Sequence, residues 1–252
     1  MKFSILNIVK RSNLTAQYRF LWFFGLLFLT SICHGALLDS GFRAEYEVRV
    51  KGIYVGISTR QLAITKARIE YQSKATPGGL AKLFFSDVVT ETSIMERDGS
   101  EIKSIAYKYD QTGGRDIVHE SVFFDWQAGL IKFSDGGGKE FQISNNAYDV
   151  LNFQLALMRN LQQGKQEFVL NVADYHKLYT FRSKVVGKEK VAIPYGKLET
   201  IKVDSRNKQD GKHFIFWCAP SLDYLPVRVE YTKKPGGIVF LTELKSLSIT
   251  KQ

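Results

Sequence analysis

Cysteine, histidine and proline are scarce in this chain, with two, four and five among 252 residues, and each scarcity removes a class of structure or chemistry. Cys33 lies in the N-terminal leader, so removal of that leader leaves Cys218 alone and no internal disulfide can form. Cys218 sits between Trp217 and Ala219 in an apolar strand and reads as a small buried hydrophobe. Beyond the leader, His119, His176 and His213 fall in separate strands or at strand edges. With no His-x-x-x-His or Cys-x-x-Cys spacing, neither metal nor cofactor is expected. There is no Gly-x-Ser-x-Gly elbow and no convincing Ser-x-x-Lys to carry a nucleophile. His119 and Glu120 are adjacent, which in a strand sends them to opposite faces, so they form no dyad. Gly136-Gly137-Gly138 follows Asp135 with no helix behind it and is a turn, not a phosphate cradle. Internal repeats, low-complexity tracts and Pro-rich linkers are also missing, so residues 37–252 read as one β-rich domain.

What is present begins with residues 1–36. Lys2, Lys10, Arg11 and Arg19 precede an apolar run from Phe20 to Phe28 that fades into Cys33-His34-Gly35-Ala36. This is the layout of a signal peptide. The run of roughly 13 apolar residues falls short of the about 20 that span a bilayer. An uncleaved anchor is the alternative, since the basic stretch is long and His34 is not small. Ile32 is bulky where lipidation of Cys33 would need a small residue. The leader holds four basic and no acidic side chains, leaving +6 of the total +10 for the rest, spread among Asp and Glu. A solvated cationic surface is the plain reading. An exported chain does not meet chromosomal DNA, so nucleic acid is not an expected partner; anionic lipid or an envelope polyanion is.

From Phe42 the hydrophobic period is two: Phe42, Ala44, Tyr46, Val48 and Val50 face one way and Arg43, Glu45, Glu47 and Arg49 the other. Ile53, Val55 and Ile57 continue the apolar set, and a change of phase near Thr59 predicts a bulge. Arg97-Asp98-Gly99-Ser100, Gln111-Thr112-Gly113-Gly114 and Asp135-Gly136-Gly137-Gly138 predict turns of a meander. Leu80 to Phe85 is too short to assign. Helical spacing over Tyr148–Leu161 predicts one amphipathic helix, with Asn145 or Asn146 to cap it and Gly164 to end it. Strands resume at 167–172, 177–186, 189–193, 197–204, 213–219, 226–231 and 238–249. About a dozen strands exceed a flat sheet, so the expected fold is mainly β, an antiparallel meander curled into a barrel or half-barrel with one helix packed against it.

Several landmarks then stand in a telling order: Phe42-Arg43-Ala44-Glu45-Tyr46, Gly52-Ile53-Tyr54-Val55-Gly56, Phe124-Asp125-Trp126, Tyr148-Asp149-Val150-Leu151, Ile193-Pro194-Tyr195-Gly196, Trp217-Cys218-Ala219-Pro220 and Tyr224-Leu225-Pro226-Val227-Arg228-Val229. Their order and spacing resemble the domain of unknown function 3108 family over about residues 42–248. The resemblance implies an exported envelope β protein and supplies no catalytic residues. A looser similarity, of fold alone, is to the half-barrels that carry lipoproteins between membranes.

Tyr46, Phe124, Asp125, Trp126, Asp149, Tyr195, Trp217 and Tyr224 are the candidate structural or ligand-face positions. Pro194 and Gly196 place Tyr195 in a turn, and Pro220 and Pro226 bracket a rigid loop. Asp149 suits the positive end of the helix dipole, and Asp125 suits the turn amides before Gly129. The expected function is that of a non-enzymatic periplasmic protein, with outer-membrane association open, that binds a lipid or other amphiphile in a curved-sheet cavity. An assembly factor recognising an envelope protein or glycan is the alternative. A hydrolase built from Asp125, Asp149 and His119 ranks third.

Overall fold

The computed structural model describes residues 37–250 apart from 66, 67, 85, 100, 115, 135–138 and 175. The leader with Cys33, the 135–138 turn and Ser100 lie outside the described residues. A short helix α1 (Leu37–Ser40) leads into a first arm of eight strands. These are β1 (Phe42–Val50), β2 (Ile53–Ile64), β3 (Ile69–Pro77), β4 (Val88–Asp98), β5 (Glu101–Thr112), β6 (Val118–Asp125), β7 (Leu130–Phe133) and β8 (Glu140–Gln142). After β9 (Ala147–Asp149) and helix α2 (Asn152–Gln162) come β10 (Glu167–Asp174), β11 (Lys177–Ile193), β12 (Gly196–Arg206), β13 (His213–Ala219), β14 (Leu225–Thr232) and β15 (Val239–Ile249).

All fifteen described strands form one sheet, in the order β8-β7-β6-β5-β4-β3-β2-β1-β15-β14-β13-β12-β11-β10-β9. It is a meander in two arms, joined where β1 pairs antiparallel with β15 from Phe42↔Ile249 to Val50↔Phe240. The edges β8 and β9 are not laddered to each other, so the sheet is not closed. They are consecutive in the chain, however, and the residues between Gln142 and Ala147 span at most roughly 17 Å even when extended. Such a link forces the sheet to curl until its edges nearly meet. The ring of Phe133 on β7 accordingly lies 5.7 Å from that of His176, between β10 and β11.

Helix α2 fills one end of this curl. Leu151, Leu155 and Met158 join one buried cluster with Phe42, Tyr46, Tyr71 and Leu244, while Phe153, Ala156, Leu157 and Leu161 join another with Phe181, Val203 and Phe216. A helix buried on nearly all sides belongs inside a fold and not on its surface. Gln154 accepts a 2.7 Å hydrogen bond from Arg60 of β2, which ties α2 across the interior.

Four expectations are corrected. The helix begins at Asn152, not Tyr148, because Ala147–Asp149 pairs in parallel with Asn171–Ala173 as an edge strand. Its first turn is capped by Asp149, not by Asn145 or Asn146; Gly164, at φ 73°, ends it as expected. In β2 the register slips near Val55, not Thr59, and Gly56, Ser58, Arg60 and Leu62 are the buried set while Ile53 is 70% exposed. A Cβ on Gly56 would lie 2.2 Å from the Thr76 carbonyl oxygen, so the close pairing with β3 requires glycine there. Finally, residues 177–193 form one long strand bulged between Val185 and Gly187, where two separate strands were expected.

Candidate binding cavity

Because α2 occupies only one end of the curl, the other end stays open. That end carries the β1–β2, β3–β4, β5–β6, β10–β11, β12–β13 and β14–β15 connections and is called the rim here. Val150 and Phe153, at the start of α2, form the floor of a cavity of about 350 Å³. Tyr179 and Phe181 of β11, Phe214 of β13 and Tyr231 of β14 wall one side, and Tyr107 and Tyr109 of β5 the other. It opens into a wider recess of about 1100 Å³ that shares Asp174, Tyr179, Lys212 and Tyr231 and reaches Lys233, Lys234 and Phe240 at the rim.

The rings make a continuous ladder from floor to rim. Phe153 lies 5.2 Å from Phe181 and 5.9 Å from Phe214, Phe214 stacks on Tyr231 at 4.5 Å, and Tyr231 lies 6.1 Å from Phe240. Period-two alternation puts Tyr179 with Phe181, and Phe214 with Phe216, on the same sheet face. Aromatic surfaces of this kind take apolar or ring-shaped ligands by area and by π contact.

Two charged groups punctuate the apolar wall. At the neck, Lys212 Nζ sits 2.7 Å from Asp174 Oδ2 and 3.7 Å from the Tyr179 ring centroid. Burial alone would lower the lysine pKa, but the Asp174 carboxylate outweighs it and the net shift is upward. Lys212 is therefore a fixed cation. Deeper in, Tyr107 Oη donates to Glu91 Oε1 at 2.7 Å. Burial raises the Glu91 pKa against that hydrogen bond and the Arg60 charge, and burial beside Glu91 raises Tyr107 well above its ordinary value. The phenol thus stays a donor, and Glu91 takes up a proton more readily than a solvated carboxylate. A second recess, of about 470 Å³, lies beside α2 and is lined by Asn145, Asn146, Asn160, Gln163 and Lys165 together with Ile102, Phe168, Val169 and Leu170. It has no ladder of stacked rings like that of the first cavity.

The eight positions singled out from sequence lie elsewhere. Tyr46 is fully buried, donates to the Pro226 carbonyl at 3.0 Å and lies under the Arg60 guanidinium, 4.5 Å from its ring centre. Phe124 is core. Asp125 accepts from the Ala128 amide at 2.9 Å and from Lys132, and both bonds lower its pKa. Trp126 donates to the Ser104 carbonyl at 2.8 Å. Asp149 is fully buried and accepts from Ser93 Oγ at 2.6 Å and from the Leu151 and Asn152 amides at 2.9 Å each, while its own amide donates to Ser104 Oγ. It stitches the β9 edge to β4 and β5. Tyr195, at the tip of the β11–β12 hairpin, donates its amide to the Leu244 carbonyl, and Tyr224, at φ 61°, donates its amide to the Ala219 carbonyl. Trp217 is packed under that hairpin, with Nε1 2.9 Å from Glu189 Oε2 and with Lys202 and Arg228 over its ring.

The groups weighed for hydrolysis do not converge either. His119 pairs with Asp110 on the exposed surface, away from the partners of Asp125 and Asp149. Cys218 is buried, and burial pushes its thiol pKa upward. The cavity residues Glu91, Tyr107, Tyr179, Phe181, Lys212, Phe214 and Tyr231 were missed by sequence reasoning. Their alternation in strands was visible, but it is the same in packed aromatics.

The curled sheet with its internal helix is the architecture of a β-barrel-like protein. The chain belongs to the family described as "Protein of unknown function (DUF3108)", which matches residues 45–242. No curated protein matches it. Among solved structures it is similar to the β-barrel-like protein of domain of unknown function DUF1849 from Brucella abortus, at 10% identity and a TM-score of 0.57 over 83% of this chain and 98% of that one. Weaker likenesses are to a protein from Bacteroides fragilis described as exported, with a YmcC-like fold (11% identity, TM-score 0.31, 83% and 95% covered), and to one from Parabacteroides distasonis described as a lipoprotein (11%, 0.32, 84% and 96%).

Proposed function

We propose that the protein is a non-enzymatic component of the cell envelope, exported to the periplasm, that binds an amphiphile with an anionic head. The observation that carries this reading is the aromatic cavity of about 350 Å³ with the Lys212–Asp174 ion pair at its neck and the unneutralised Lys233 and Lys234 at its mouth. The size lies within the range of small-molecule sites, roughly 300–1,000 Å³. The apolar part of the ligand packs on Phe153, Phe181 and Phe214, and its anionic group meets Lys212, with Lys233 and Lys234 beyond. Glu91 and Tyr107 supply hydrogen bonds to a hydroxyl or carbonyl further in.

Native mass spectrometry of the protein purified from envelope fractions, followed by organic extraction, tests the reading. A discrete lipid or glycolipid mass is expected. Val172→Trp, which fills the inner cavity, should abolish that mass and weaken hydrophobic-dye binding at least about tenfold, while Lys212→Ala should weaken binding of anionic but not neutral amphiphiles. A clean apo mass together with dye binding that is unchanged in Val172→Trp would reject the cavity reading and favour a protein or glycan partner.

A further inference from the structure

The apolar side chains that the fold leaves in solvent are concentrated at the rim. Among the described residues, the five large hydrophobics more than 60% exposed are Ile53, Leu80, Leu83, Phe84 and Ile117. Ile53 follows the β1–β2 turn, Leu80 and Leu83 lie in a 3₁₀ turn of the β3–β4 connection with Phe84 directly after it, and Ile117 precedes β6. Antiparallel pairing puts all three connections at one end of the curl. Ile238 of the β14–β15 connection, 48% exposed, is at the same end.

Lysines stand between these tips: Lys51, Lys82, Lys208, Lys233 and Lys234 are all exposed at the rim. The acids nearby are fewer or paired: Asp210 pairs with Lys177 at 3.6 Å and Asp110 with His119 at 2.6 Å, while Asp87, hydrogen-bonded to the neutral Gln111 amide, and Asp116 keep their charge against the five lysines. The result is a set of separate apolar knobs set in positive charge.

We infer that this rim docks the protein on an anionic lipid bilayer. Leu80, Leu83 and Phe84 enter the boundary between headgroups and acyl chains, Ile53, Ile117 and Ile238 follow at the margin, and the lysines bind lipid phosphates. A protein partner fits less well, because protein interfaces gather apolar residues into a continuous core depleted in lysine. Here the apolar tips come from separate hairpins with ammonium groups between them. Such docking turns the mouth lined by Lys212, Lys233 and Phe240 toward the bilayer.

The test is flotation of the chain, as isolated from cells, with vesicles of phosphatidylcholine alone or mixed with phosphatidylglycerol. Binding is expected with phosphatidylglycerol, weakening as salt is raised. The variant Leu80→Ser/Leu83→Ser/Phe84→Ser should lose at least about tenfold in apparent affinity. Those side chains are solvent-exposed, so its thermal midpoint should match the parent. In Leu83→Trp the indole emission should shift to the blue on vesicle binding. Equal flotation of parent and triple variant together with no blue shift in Leu83→Trp, or indifference to phosphatidylglycerol and salt, would overturn the inference. Docking does not require the cavity to be filled: dye binding on the same samples reports the cavity separately, so the two proposals fail independently.

Discussion

Removing the Asp149 carboxylate should be among the more damaging single changes in this protein. Asp149→Ala takes the acceptor from three buried donors at once: Ser93 Oγ and the amides of Leu151 and Asn152. A buried donor left unpaired costs about 1–3 kcal/mol. The Ser93 hydroxyl can rotate to another acceptor, so two amides remain, giving about 2–6 kcal/mol. Relief from burying a carboxylate offsets part of that, and about 2–4 kcal/mol is expected. Asp149→Asn keeps a carbonyl oxygen for the two amides and presents an NH₂ group to Ser93 Oγ, which can accept, so its cost should be about 1 kcal/mol or less. Burial raises the Asp149 pKa despite the hydrogen bonds its carboxylate accepts. The folded chain therefore binds that proton more tightly than the unfolded one. The stability linked to this group is full below the ordinary carboxylate range and is lost as pH rises through the raised folded value. Urea denaturation monitored at several pH values measures all of this, with the midpoint shifting and the slope constant. An alanine variant within about 0.5 kcal/mol of the parent, or an asparagine variant as damaging as the alanine, would refute the reasoning.

Glu91→Gln should flatten the pH dependence of thermal stability in the same sense, because burial raises the Glu91 pKa and its contribution likewise fades as pH rises; an unchanged profile would remove Glu91 from the account. Cys218, followed by peptide mass, should resist alkylation at neutral pH until denaturant opens the fold, since both burial and the raised thiol pKa withhold the thiolate. Trp217→Phe removes the bond to Glu189, a half-exposed partner, and should cost about 1 kcal/mol, read as a lower urea midpoint.

The curled β architecture was legible because period-two alternation over Phe42–Val50 and the turn signals at Gly99 and Gly113 are local properties of the chain. The helix was legible in its spacing but not in its start. Tyr148 suits a helix face and a strand edge equally, and only the partner strand Asn171–Ala173 decides between them. Arg60 points inward against its polarity because the interior it faces holds Gln154 and the Tyr46 ring, which no local pattern announces. The cavity was illegible for a similar reason. Phe181 and Phe216 alternate alike in their strands, and how far α2 reaches along the curl determines which rings are packed and which border open space.

The ladder between β1 and β15 bears on how this chain acquires its structure. Of the described strands, the first to leave the ribosome, β1, has its β2 partner almost at once, but its other partner, β15, is the last. Until then the two arms have no seam, and nothing holds the Pro226 carbonyl against Tyr46. Pairing of such high sequence separation folds slowly and late, because the closure entropy of the whole loop is met before the contacts form. The arms consequently spend time as unpaired edges exposed to association. A chain clipped within β15 should accumulate as aggregate or be degraded, and productive folding should wait until Val239–Ile249 has been synthesised.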